Sequence, residues 1–214
     1  GIKDLTRFLK LNAPESIKLV HLNTYKQKNA AIDISIFLYK YKYKNRNIIQ
    51  KFLEQVYRLK LNDITPIYVF DGKPPKEKLN TLKERKFRLE ESKIKQEKVS
   101  NELAELMKAN NSVNNARIKY LSQELDKLNN KTLKVTKEDI ESVKYFLDLL
   151  NIKYIHAPGE ADILCSKLCR NNIAHMVISE DMDILTSGAP ILMRDFNSNN
   201  NKILTFDLKI ILEK

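Results

Sequence analysis

Short apolar runs alternate along the chain with stretches of helical periodicity. Buried strands are predicted at 30–34, 65–70, 152–156 and 175–179, and shorter strands near 190–194 and 202–206. Helices are predicted within 1–29, over roughly 35–61, 136–150 and 160–170, and from near Asp207 onward. The segment around Pro14 is expected to be a connection. Because strands and helices alternate, we expect an α/β fold with a mostly parallel sheet flanked by helices.

The predicted helical region over 35–61 has an apolar side that is expected to face the core. Its members are Ile48, Ile49, Phe52, Leu53, Val56 and Leu59. The next strand ends at Phe70, and Pro74-Pro75 then predicts that a new helix begins near Pro75.

Residues 76–131 differ from the rest of the chain in being rich in charge. They contain 14 Lys or Arg and 9 Asp or Glu, with a break predicted near Asn110–Asn115. After the break, Leu121, Leu125 and Leu128 belong to a modest apolar stripe. The pattern predicts a charged helical hairpin inserted into a core made of residues 1–75 and 132–214.

Acidic residues follow each of the four longer predicted strands. They are Asp33, Asp71, Glu160 with Asp162, and Asp181 with Asp183. The carboxyl ends of parallel strands lie along one edge of a sheet, so these side chains are expected to gather in one pocket. Carboxylates without accompanying His or Cys favour Mg²⁺ or Mn²⁺, and two such ions can promote phosphodiester hydrolysis. A single acid near a helix start, such as Asp181 or Glu160, is explained as well by helix capping.

Net charge and cysteine content indicate which kind of partner and which cellular compartment the sequence favours. The formal net charge of +11 and pI near 9.4 favour a polyanionic partner, although an AT-rich genome would also enrich Lys, Asn and Ile. No apolar run approaches the ~20 residues of a membrane span, and the N-terminus lacks a signal-peptide pattern. Cys165 and Cys169 are expected to pack in the core and indicate a reducing compartment.

Five motifs occur in order along the chain. They are Gly1-Ile2-Lys3-Asp4-Leu5, Ala31-Ile32-Asp33-Ile34-Ser35, Tyr68-Val69-Phe70-Asp71-Gly72-Lys73-Pro74-Pro75, Ala157-Pro158-Gly159-Glu160-Ala161-Asp162 and Ser179-Glu180-Asp181-Met182-Asp183-Ile184-Leu185-Thr186. Together they closely resemble the flap endonuclease branch of the XPG-type structure-specific nucleases. The resemblance covers most of the chain apart from the hairpin.

That resemblance implies a PIN-like core, with the hairpin as an arch through which a 5′ single strand passes. It also implies cleavage of branched or 5′-flap DNA with two Mg²⁺ ions, for which Mn²⁺ substitutes. The implied metal ligands are Asp33, Asp71, Glu160, Asp162, Asp181 and Asp183. Asp181, Lys78 and Arg85 are implied as catalytic, and Gly1, Tyr39, Lys78 and Arg85 as nucleic-acid-binding.

Departures from the family pattern leave other functions open. Asp162 stands where the family usually has Glu, and the chain ends before the expected seventh acid and helix–turn–helix element. A 5′→3′ exonuclease on DNA or RNA, or a non-catalytic nucleic-acid-binding module, therefore stays an alternative. The resemblance further implies a nuclear or other intracellular DNA-replication compartment, and a sliding clamp bound through a tail beyond Lys214.

Overall fold

The central feature of the fold is a seven-stranded sheet. The computed structural model describes residues 2, 4–43, 47–75, 78–108, 115–196 and 201–214. The strands are β1 (Ile17–His21), β2 (Asn29–Asp33), β3 (Thr65–Phe70), β4 (Tyr154–His156), β5 (Met176–Ile178), β6 (Ile191–Arg194) and β7 (Lys202–Asp207). Their order is β1-β7-β6-β5-β2-β3-β4. β6, β5, β2, β3 and β4 are parallel, and β7 is antiparallel to β6 and β1, so the predicted mostly parallel α/β fold is confirmed.

Helices lie between the strands along the chain. They are α1 (Leu5–Asn12), α2 (Ile34–Lys42), α3 (Ile48–Leu61), α4 (Leu79–Lys108), α5 (Asn115–Thr132), α6 (Lys137–Leu149), α7 (Ala161–Arg170), α8 (Asp183–Thr186) and α9 (Leu208–Leu212). Two 3₁₀ turns, Pro14–Ser16 and Leu22–Tyr25, flank β1. No helix in the described ranges is long and apolar enough to cross a membrane.

The alternation of side chains along the parallel strands divides the core into two layers. Tyr68 and Phe70 of β3 pack with residues of α2, α3 and α6, whereas Ile67 and Val69 of the same strand pack with residues of α1, α7 and α8. Successive residues of a strand point to opposite faces, so a strand buried on both faces reads as one apolar run. This is why Thr65–Phe70 was predictable at its observed bounds.

Several sequence predictions are confirmed in detail. Cys165 and Cys169 are buried free thiols in the α7 layer of the core. Thr136 caps α6, and its side chain and that of Asp139 exchange hydrogen bonds with each other's backbone N–H. Asp207 caps α9.

Other sequence predictions are wrong at the level of single elements. Ile17–His21 is a strand rather than a connection, because β7 pairs with it from the far end of the chain. The helix expected to begin near Pro75, α4, begins at Leu79. Leu53, expected in the core, is 48% exposed.

Contacts along the chain separate two compact units. One comprises residues 1–42, 46–74 and 135–214, and the other comprises 43–45 and 75–134. The second unit contains α4 and α5, and the predicted insertion 76–131 lies within its longer segment. The predicted break at Asn110–Asn115 falls almost entirely outside the described residues.

The two helices of the hairpin pack against each other through a small apolar core of their own. Val99, Leu121 and Leu128 are buried there, with Leu125 partly buried beside them. The predicted apolar face of α5 is therefore confirmed at three positions. Ion pairs between Lys95 and Glu124 and between Arg117 and Glu102 also join the helices.

A line of aromatic rings anchors α3 to the sheet and yields a stability prediction. Phe52 contacts Tyr41 at a ring-centroid distance of 5.0 Å and Tyr68 at 5.9 Å. Phe52→Ala should lower the free energy of unfolding by about 3–5 kcal/mol, because it removes buried contacts and leaves a cavity. Urea unfolding measures this loss. Tyr57→Ala, on the exposed side of α3, is the matched control and should change stability little; equal losses would contradict the assignment of Phe52 to the core.

Candidate metal-binding site

The sheet brings the predicted acids to one edge. Asp33 is the last residue of β2, and Asp71 directly follows β3. Glu160 and Asp162 lie at the start of α7, after β4. Asp181 lies between β5 and α8, and Asp183 is the first residue of α8. β4, β3, β2 and β5 are adjacent and parallel, so their carboxyl ends face the same way. Strand order also reverses between β2 and β5, which is where open α/β sheets form ligand crevices.

Gly72 lets two of these strand ends approach closely. Its backbone N–H donates a hydrogen bond to the carbonyl oxygen of Gly159 over 2.7 Å. A Cβ atom at position 72 would lie 2.0 Å from the carbonyl oxygen of Ala157. Only glycine fits there without moving backbone. The contact holds the segment before Glu160 against the end of β3.

Hydrogen bonds through Ser35 join the ends of β2 and β3. Its N–H donates to Asp33 Oδ1 over 3.2 Å, and its hydroxyl donates to Asp71 Oδ2. The other oxygen of Asp71 accepts from the N–H of Ala161, the first residue of α7, over 2.8 Å. One carboxylate therefore fixes a serine of α2 and the start of α7 at once.

Ser179 makes the corresponding link to the end of β5. Its buried hydroxyl donates to Asp33 Oδ2 over 3.3 Å and accepts from the N–H of Asp181 over 3.1 Å. Asp181 Oδ1 then accepts from the N–H of Asp183 over 3.0 Å. Asp183 in turn accepts from the N–H of Ile2 over 2.9 Å. Asp71, Asp33, Asp181 and Asp183 are thus successive members of one hydrogen-bonded network.

Burial and electrostatic repulsion both act on Asp33, which is 8% exposed. Burial is the largest influence and raises the pKa of Asp33 to about 7; repulsion from Asp71 and Asp162 adds to it, while hydrogen bonds from Ser35 and Ser179 oppose it. The buried Cys165 thiol also has a raised pKa, first from burial and then from Asp33. Asp33 is therefore the poorly solvated member of the group, whereas Asp71 is exposed and the other four acids are half-buried.

Two positive side chains near the strand ends pair with a residue outside the predicted ligand set. Glu180 forms ion pairs with Lys40 and Arg194, and accepts from the N–H of Asp195. Within the described part of the chain, no ion pair joins Asp33, Asp71 or Asp181 to Lys or Arg. The oxygen atoms of these three carboxylates are the kind of donor that a hard divalent ion such as Mg²⁺ or Mn²⁺ prefers.

The side chains do not surround an ion as they stand. In the ranges that the structure covers, no three Asp, Glu, His or Cys side chains are close enough to hold one ion. Repelling carboxylates spread apart in the absence of a cation, so an ion would have to draw these groups together. The metal roles of Asp33, Asp71, Glu160, Asp162, Asp181 and Asp183 stay predictions.

The residues predicted to contact nucleic acid are distributed over both units. Tyr39 lies on α2 with 53% of its surface exposed. Lys78 and Arg85 are exposed residues of the hairpin unit, just before and within α4. Gly1 lies outside the described residues. The roles of all four stay predictions.

Ser35 and Ser179 are functional candidates that sequence reasoning missed. Each belongs to a motif that carries the family resemblance, two residues after Asp33 and two residues before Asp181. A short hydroxyl side chain so close to an acid was the available signal. Its partners on other strands became apparent only in the folded chain.

The sequence matches two family models and several curated relatives. The XPG N-terminal domain matches residues 1–92, and the XPG I-region matches residues 151–214. Flap endonuclease 1-A of Sorghum bicolor is 32% identical, with 100% of this chain and 57% of the relative covered. Flap endonuclease 1 of Cryptosporidium parvum is 34% identical, with 95% of this chain and 42% of the relative covered.

The fold also matches solved structures. The catalytic core of Rad2 in complex with a DNA substrate has a TM-score of 0.69 and 23% identity, covering 100% of this chain and 56% of that one. The chain spans about half the length of the curated relatives that it matches.

Gly72 provides a test of how the strand ends are held together. Gly72→Ala should lower the free energy of unfolding by about 1–3 kcal/mol, because the new Cβ pushes against backbone. It should also weaken Mg²⁺ binding by roughly 10–100-fold through displacement of Glu160 and Asp162. Urea unfolding and titration calorimetry measure the two effects. Gly159→Ala is the control, since its Cβ would come no closer than 3.9 Å to its nearest neighbour. Similar behaviour of both variants would refute the role of the close approach.

Asp33 provides a test of the repulsion. The folded chain has the higher pKa at Asp33, so it binds more protons than the unfolded chain, and stability falls as pH rises from 3.8 to about 7. With metal chelated at pH 8, Asp33→Asn should raise the free energy of unfolding by up to about 4 kcal/mol, since a tenfold change in an equilibrium constant is about 1.4 kcal/mol. The gain should shrink towards pH 5. Exposed Asp63→Asn should show no such trend, and a gain at Asp33 that is independent of pH would contradict the account.

Proposed function

The chain belongs to the family that carries the XPG N-terminal domain and the XPG I-region, and we propose that it is a metal-dependent, structure-specific nuclease. The proposed reaction is hydrolysis of a phosphodiester in branched or 5′-flap DNA. The curated relatives are named flap endonucleases, and the Rad2 core was solved with a DNA substrate, which supports a DNA substrate here. The net charge of +11 is consistent with such a polyanion.

One observation carries the proposal: hydrogen-bonded carboxylates lie at four adjacent strand ends, and Asp33 among them has a pKa raised to about 7. A site that only stabilised the fold would gain by replacing one of these acids with a neutral residue. Retaining several mutually repelling acids is favourable when they serve to bind cations. The arrangement supports a function that needs metal ions.

The residues proposed to hold two divalent ions are Asp33, Asp71, Glu160, Asp162, Asp181 and Asp183. When bound, such ions provide a polarised water at neutral pH and stabilise negative charge on the phosphate oxygens. Ser35 and Ser179 hold the carboxylates in register by donating to Asp71 and Asp33. Glu180, paired with Lys40 and Arg194, has a supporting role outside the ligand set.

Three further residues are proposed to act on the nucleic acid itself. Lys78 and Arg85 would donate hydrogen bonds to the scissile phosphate, where cations stabilise developing negative charge. Tyr39 would stack on a base, since its ring is more than half exposed. Lys78→Ala is then expected to lower turnover more than DNA affinity.

The direct test is cleavage of a labelled 5′-flap substrate by the full-length protein with Mg²⁺ or Mn²⁺. Release of the intact flap is expected. Mononucleotide products would instead favour the 5′→3′ exonuclease. Binding of flap DNA without cleavage under either metal would favour the non-catalytic module and would overturn the nuclease proposal.

Asp181→Ala separates catalysis from binding. It should reduce cleavage by roughly a hundredfold or more, because metal stabilisation is worth several kcal/mol and each 1.4 kcal/mol is tenfold in rate. DNA affinity, measured by fluorescence anisotropy, should change little. Glu213→Ala, at an exposed residue near Lys214, should retain both properties. An affinity loss as large as the rate loss would contradict the assignment of Asp181 to the reacting centre.

A further inference from the structure

An arginine and a glutamine are buried on α3 with hydrogen-bond donors left over. Arg58 is 5% exposed and Gln55 is 1% exposed. Nε and Nη1 of Arg58 and Nε2 of Gln55 are buried and have no hydrogen-bond partner within the described part of the chain. All three atoms are donors, and a guanidinium remains charged in proteins. The cluster therefore needs an acceptor.

The neighbours of Gln55 and Arg58 show where these donors lie in the fold. They lie three residues apart, on the same face of α3. Gln55 Oε1 accepts a hydrogen bond from the Tyr68 hydroxyl over 2.9 Å, which leaves the amide nitrogen free to donate. The Arg58 guanidinium lies 5.0 Å from the ring centroid of Phe196, and this aromatic ring restricts access from one side.

Nearby acids do not neutralise Arg58. Glu54, on the next turn of α3, pairs with Lys51, and Glu180 pairs with Lys40 and Arg194. Among the residues that the structure describes, no ion pair includes Arg58. Burial lowers the pKa of Arg58, and the neighbouring Tyr41 on α2 has a smaller opposite effect. In the part of the chain that the structure describes, this buried positive charge has no anionic partner.

We propose that Arg58 and Gln55 form a binding site for a small inorganic anion, beneath Phe196 and beside α2. An anion accepts from all three donors and neutralises the charge, which a water molecule does only in part. The depth of Arg58 favours a free ion such as chloride or phosphate over a phosphate group of a nucleic-acid backbone. The site is independent of the acids at the strand ends and adds a stabilising ligand to the core.

The test is the thermal unfolding midpoint of the 214-residue chain at constant ionic strength. Chloride or phosphate replaces gluconate, a much larger organic anion. The midpoint should rise with anion concentration and then level off. The rise should be roughly 3–6 °C once the anion concentration exceeds the Kd about tenfold. Arg58→Met should abolish this anion-specific rise. Arg88→Met, at an exposed arginine of α4, should retain it.

Comparison of the two salts identifies the ion, since the better ligand saturates at the lower concentration. A wild-type midpoint that is insensitive to the anion, or a rise that persists in Arg58→Met, would overturn the proposal. If Arg58→Met does not fold, bromide-soaked crystals of the wild-type chain decide the question. A bromide peak within hydrogen-bond distance of Arg58 supports the site, and a water peak or no peak there refutes it.

Discussion

Repulsion between carboxylates is the constraint on which the rest of this structure depends. A parallel sheet directs the carboxyl ends of its strands to one edge, and four adjacent strands of this sheet each carry acids there. Two charges about 4 Å apart repel by roughly 4 kcal/mol at an effective dielectric constant near 20. Burial is the main cause of the raised pKa of Asp33, and repulsion from Asp71 and Asp162 adds to it. The fold offsets this repulsion with the buried apolar residues of β2, β3 and β5.

The local structure resists the repulsion by specific contacts. Ser35 and Ser179 place hydroxyl donors between strand ends, and the N–H of Ala161 neutralises part of the charge on Asp71. Gly72 allows the backbone of two segments to meet where any side chain would intrude. These contacts are uncharged, so they hold Asp33 and Asp71 in place without cancelling their negative charge.

The features that depend on local sequence pattern could be predicted. Thr65–Phe70 is buried from Pro66 onward and therefore contains one apolar run, and the acid after it follows from chain order alone. The strand Ile17–His21 could not be predicted, since it lies mostly exposed and exists through pairing with β7. The roles of Ser35 and Ser179 depend on partners from other strands. The burial of Arg58 could not be predicted either. Helical periodicity alone did not indicate that this charged residue of α3 would be buried and that Leu53 would be exposed.

The central claim is that the strand-end acids form a site for divalent cations. Electron paramagnetic resonance of Mn²⁺ measures this most directly, because bound ions lose the sharp signal of free Mn²⁺. Titration at pH 8 should show about two bound ions per chain, which Mg²⁺ displaces, and a chain with both Asp33→Asn and Asp181→Ala should lose them. Equal Mn²⁺ binding by the wild-type and doubly substituted chains would contradict the account.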